Sequence, residues 1–94
     1  MYVLALQVDL HVPTARSLKE KRMVVKSILD GSRQRFRVAA AEVGFQEQWQ
    51  RAELGFAMVA SSERHALDMA DELERFVWSR PDIEVLSCER RWLE

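Results

Sequence analysis

Lys19, Arg22, Lys26 and Arg33 recur at intervals of three, four and seven residues. On a helix that spacing gathers them into one stripe. A stripe of fixed positive charge is chemistry for phosphate, because each cation neutralises a backbone phosphate and releases its counterion. Arg16, Lys21, Arg35 and Arg37 thicken the stretch. Residues 16–37 thus hold eight Lys or Arg against Glu20 and Asp30, a local charge of +6. The whole chain is −1, which leaves −7 for the remainder. Arg16, Lys19, Lys21, Arg22, Lys26 and Arg33 are the candidate RNA-binding residues on this charge layout. The plainer account of the same stripe is a solvated helix face that maintains solubility.

Other chemistry-bearing residues are sparse. Trp49 and Arg51 flank Gln50 after a polar loop, and an Arg beside an exposed Trp suits a partner interface. The competing account folds Trp49 back over a sheet edge. His11, two residues before Pro13, joins them as a candidate partner-binding residue, although a His there can equally satisfy a turn by hydrogen bonding. Glu42 and Glu53 suit ion pairing with Arg51 or with a basic helix residue. Acid–base work would need a pocket around them. Cys88 reads as a small strand hydrophobe. His11, His65 and Cys88 show no metal-ligand spacing. Three glycines are too few for a phosphate-cradling loop. The expectation is a protein with no catalytic constellation and no cofactor.

The elements that must carry these residues follow from periodicity. Ser17 and Glu20 match the capping box, with Ser17 accepting from the first turn and Glu20 reaching back to the Ser17 N–H. Leu18, Val24, Val25, Ile28, Leu29 and Phe36 then mark the core face of a helix over 16–37. Gly31 weakens it, since a mid-helix Gly costs about 1 kcal/mol relative to Ala, so a break near Asp30 is the alternative. Residues 2–12 alternate as a strand, with Tyr2, Leu4, Leu6, Val8, Leu10 and Val12 on its apolar face. Residues 38–43 form a weaker strand, poor in strand formers. Residues 51–60 alternate again, with Ala52, Leu54, Phe56, Met58 and Ala60 on one face. Ser61 and Ser62 cap a second helix whose core face is Ala66, Met69, Ala70, Leu73, Phe76 and Val77. Pro81 follows its end. In the last strand Ile83, Val85 and Ser87 alternate with Glu84, Leu86 and Cys88, and it runs on toward Trp92.

The order βαββαβ is the split βαβ arrangement. The expected class is α+β, ferredoxin-like: a four-stranded antiparallel sheet with two helices on one face. The 94 residues make one domain, 1–94, with ordinary apolar (48%) and charged (31%) content. One cysteine cannot form an internal disulfide, and no basic leader or long apolar run stands out. A cytoplasmic protein without a membrane role is expected.

Three stretches carry a family resemblance. They are His11-Val12-Pro13 with Ala15 and Ser17-Leu18-Lys19-Glu20-Lys21-Arg22, then Val38 through Ala41-Glu42-Val43, then Trp49-Gln50-Arg51-Ala52 with Leu54-Gly55. In this order they resemble the YlxP-like proteins, a small bacterial family, over nearly the whole chain. The resemblance implies a ferredoxin-like fold and a cytoplasmic bacterial protein. It also implies, by genetic company with transcription, translation and ribosome-maturation genes, a role near the ribosome. It supplies no catalytic residues. Asp30-Gly31-Ser32 departs from the good helix formers expected there.

RNA-binding domains of this topology stack bases on aromatics of the two central strands. Here those positions hold Ala5, Gln7 and Asp9, and Gly55, Ala57 and Val59. Contact with ribosomal RNA would instead come from the basic helix, mostly to phosphates. Acylphosphatase chemistry is rejected because the chain contains no Asn. The alternative expectation is a protein-interaction module, in which Val3, Ala5, Ala57 and Val59 support a homodimer.

Overall fold

The computed structural model describes residues 1–94. Strand β1 (Tyr2–His11) leads to helix α1 (Leu18–Phe36), strands β2 (Ala39–Gly44) and β3 (Arg51–Ala60), helix α2 (Glu63–Trp78) and strand β4 (Glu84–Trp92). The sheet is antiparallel in the order β2-β3-β1-β4. Both helices cover one face, which is the expected ferredoxin-like arrangement.

Alternation builds the core. Leu4, Leu6, Val8 and Leu10 of β1 meet Ala52, Leu54, Phe56 and Met58 of β3 beneath the helices, all nearly fully buried. Val25, Ile28 and Leu29 of α1 and Ala66, Ala70, Leu73 and Val77 of α2 close the layer. The odd-numbered residues of β1 and β3 form the open face.

Strand β4 departs from simple alternation. Asp9 lies opposite Ser87 and Leu10 opposite Val85, so Leu86 is an extra residue. Such a bulge exchanges the faces on either side of it. Val85 and Cys88 therefore both pack against the core, while Leu86 is exposed. The expected grouping of Val85 with Ser87 fails for this reason.

Helix α1 runs unbroken through Gly31. A Cβ built at Gly31 would lie 2.8 Å from Cζ of Phe76. The Phe76 ring is itself held edge-on to Phe36, at 5.7 Å between centroids, and carries the Arg35 guanidinium 5.0 Å from its centroid. The glycine is thus the contact point between the helices. Gly31→Ala should lower stability by roughly 1 kcal/mol, since overpacking outweighs the gain in helix propensity. The same change made with Phe76→Leu should be neutral or stabilising. Urea denaturation of the single and double variants checks both outcomes.

Candidate nucleic-acid interface

Ser17 starts α1 as expected: its Oγ accepts from the Glu20 N–H at 3.1 Å. Glu20 returns the bond one residue earlier than expected, accepting from the Arg16 N–H at 2.6 Å rather than from Ser17. The flank of α1 bearing Ser27 and Gly31 faces α2 and the turn that follows it, since Gly31 meets Phe76 and Ser27 Oγ accepts from Arg80 at 2.9 Å. The opposite flank borders β2, where Arg33 Nη2 donates to the Ala40 carbonyl. The basic stripe therefore lies on the outer edge of the molecule, away from the acidic α2.

The six candidate cations fall into three groups. Arg16, Lys19 and Arg22 are exposed, and their side chains take no ion-pair partner within the chain. Lys26 and Arg33 straddle Asp30, at 2.7 Å and 3.2 Å. The hydrogen bond from Lys26, with its charge and that of Arg33, holds the Asp30 carboxyl below its usual range. These two cations are exposed but already partly neutralised.

Lys21 is a correction. It is fully buried, not a surface cation. Its Nζ donates to Glu42 Oε2 at 2.8 Å and to the carbonyls of Phe45, Gln46 and Arg51 at 2.9, 3.2 and 3.2 Å. No RNA phosphate can reach it. The signal was present in the sequence: Lys21 stands three residues after Leu18 and four before Val25, on the apolar stripe itself. Glu42 thus pairs with a basic helix residue, one of its two expected partners. Glu53 instead accepts from Gln7 Nε2 at 2.8 Å.

His11 and Arg51 of the candidate partner-binding set are direct cross-strand partners on the open face. Arg51 forms a two-pronged ion pair with Asp9, at 3.2 and 2.7 Å, and lies 4.3 Å from the centroid of the Phe45 ring. His11 Nδ1 lies 3.3 Å from Glu84 Oε1. Trp49 is 56% exposed rather than folded over an edge. Its loop is nonetheless tied down. Gln50 Nε2 donates to the Pro13 and Ala15 carbonyls, and the Gln50 carbonyl accepts from the Val12 N–H at 2.8 Å. Phe45, Asp9 and Glu84 were missed as members of this cluster, because only the register of β1 against β3 and β4 brings them together. Glu42 points to the helix side, so it does not join His11 and Arg51.

Cys88 Sγ donates to Glu74 Oε1 at 3.2 Å, and Arg90 bridges Glu74 and Asp71. Burial, reinforced by Glu74, pushes the thiol up to about 12. A neutral thiol is a poor nucleophile. No three His, Cys, Asp or Glu side chains converge as a metal-binding set. No helix is long and apolar enough to cross a membrane.

The topology and the two-helix layer define a ferredoxin-like α+β protein. Along its full length the chain matches an NMR structure of a de novo designed protein with ferredoxin fold, at a TM-score of 0.56 and 14% identity, covering 87% of that protein. That likeness concerns the fold alone. In sequence, 78 residues are 38% identical to the uncharacterized protein YlxP of Bacillus subtilis (strain 168), covering 83% of this chain and 85% of that one. Residues 3–90 match the family of proteins of unknown function DUF503, and the chain belongs to that family.

Lys21→Met should destabilise the protein by about 3 kcal/mol, because it leaves Glu42 without its ion-pair partner and removes the ammonium shared by three carbonyls. A surface lysine would cost under about 0.5 kcal/mol. Urea denaturation measures the loss. Amide exchange should show residues 45–50 opening first.

Proposed function

We propose that the protein is an RNA-binding accessory factor of the ribosome that docks through the outer flank of α1. The observation that carries this reading is the trio Arg16, Lys19 and Arg22, exposed and unpaired beside Lys26 and Arg33 on one edge. The flank from Lys19 to Arg33 extends about 20 Å at the helical rise per residue, long enough to follow several successive phosphates. The absence of aromatics on the open face of the central strands favours phosphate contact over base stacking. The genetic company of the YlxP-like proteins agrees with a ribosomal setting.

Ribosome co-sedimentation from a bacterial extract tests it. The wild-type protein should pellet at low salt and be released at moderate salt. With four cations engaged on single-stranded RNA, log K should fall against log salt with a slope of about −3. Lys19→Glu with Arg22→Glu should abolish pelleting while the fold is retained. Lys26→Ala should have a smaller effect, because Asp30 already neutralises that charge. A flat salt response, or a charge-reversed variant that pellets like wild type, overturns the reading.

A second reading rests on the open face of the sheet. Ala5, Ala39, Ala41, Val43, Gly55 and Ala57 line a trough of about 380 Å³ there. Small apolar residues let another backbone approach closely, which suits a homodimer. Light scattering should then report a dimer that Ala57→Glu dissociates. A monomer at the highest soluble concentration overturns this reading.

A further inference from the structure

We infer that the opposite end of α1 carries a small-ligand site for a phosphate monoester on a nucleoside. A hollow of about 390 Å³ opens where α1 ends, α2 begins and β3 leaves the sheet. That volume is at the lower end of small-molecule sites. Arg35, Arg37 and His65 line it together with Phe36 and Met69, and the exposed Val59 borders it from the end of β3. Glu72 is the single carboxylate on it.

The three nitrogen-bearing side chains are not otherwise engaged with acids. None of them forms an ion pair within the chain, although nine such contacts exist elsewhere. A cation at a helix C-terminus is favoured by the helix dipole, which accounts for Arg35 on α1. The same holds for Arg37, but not for His65, which borders the hollow from the first turn of α2. Arg37 is the C-cap of α1 in the left-handed region, with φ 53°, and its backbone N–H closes on the Arg33 carbonyl at 3.1 Å. That fixed turn carries the Arg37 side chain off the helix face and onto the rim of the hollow. His65 lies in the first turn of α2, where its own N–H donates to Ser62 Oγ at 3.1 Å.

Two guanidinium groups offer forked donors that match phosphate oxygens, and an imidazole adds another nitrogen donor. The apolar side of the hollow is suited to a base. The half-buried Phe36 ring offers a flat surface for it, and Met69 a polarisable thioether beside it. Phosphate on one side and an apolar ring surface on the other are the two halves of a nucleoside monophosphate. The same chemistry comes from a free nucleotide or from the 5′-phosphorylated end of an RNA strand. The site lies apart from Arg16, Lys19 and Arg22, so it stands whether or not the outer flank of α1 binds RNA.

Amide chemical-shift titration of the full chain tests the inference, using AMP, adenosine, inorganic phosphate, and a short RNA with a 5′-phosphate or a 5′-hydroxyl. AMP at millimolar concentration should shift residues 35–37, 59, 65 and 69. Adenosine and inorganic phosphate should each bind at least about tenfold more weakly, since each lacks one half of the recognised group. Arg37→Gln should weaken AMP by about tenfold, the loss of one charge-assisted hydrogen bond. Lys19→Glu with Arg22→Glu should leave AMP binding unchanged. A preference for the 5′-phosphorylated RNA over AMP would identify a strand end as the source, and the reverse a free nucleotide. No shifts, shifts confined to the Lys19–Arg22 flank, or adenosine binding as well as AMP would overturn the inference.

Discussion

The architecture hangs on one buried ammonium. Lys21 is completely enclosed, and removing such a charge from water costs several kcal/mol before any compensation. The compensation is complete solvation by protein: one carboxylate and three carbonyls surround a group with three N–H donors. An apolar residue of similar length would avoid the desolvation but would take the ammonium away from Glu42 and from the carbonyls of Phe45, Gln46 and Arg51, of which Phe45 keeps the Gln48 N–H at 3.0 Å. The lysine therefore answers a problem set by the loop between β2 and β3, whose backbone turns its oxygens toward the helix. Phe45 itself sits in the left-handed region, with φ 57°, which aims its carbonyl out of the strand direction.

That single group couples three elements. Through it the first turn of α1 is bonded to the end of β2 and the start of β3. Arg51 shows the consequence. Its carbonyl is fixed by Lys21 on one side of the sheet, while its guanidinium is fixed by Asp9 and Phe45 on the other. The exposed Trp49 side chain thus projects from a rigid loop, although nothing within the chain covers it. Rigid, exposed aromatics present contact area without the entropy of ordering a flexible loop.

Much of this was legible in the sequence, and the failures other than Lys21 share a cause. Strands β1 and β3 alternate strictly because one face is core and the other is open, so their limits could be read directly. Ser17 and Ser62 announced both helix starts through short-range chemistry. What could not be read depended on contacts between distant segments. Gly31 is a weak point only of an isolated helix, and the Phe76 ring that requires it arrives from α2. Leu86 broke the alternation of β4 because the bulge is set by pairing with β1, not by β4 itself. Lys21 was assigned to the surface by residue type, when its phase on the helix placed it in the core.

Counting basic residues over a stretch therefore overstates the charge available to a ligand. Of the +6 over residues 16–37, Lys21 is cancelled in the interior by Glu42, and Lys26 and Arg33 share Asp30. What remains free lies at the two ends of α1: Arg16, Lys19 and Arg22 at the first, Arg35 and Arg37 at the second. The middle of the helix serves the fold, holding β2 through Arg33 and α2 through Ser27 and Gly31. The cations without an acidic partner in the chain are accordingly concentrated at the two ends of α1, with the Asp30-paired Lys26 and Arg33 between them.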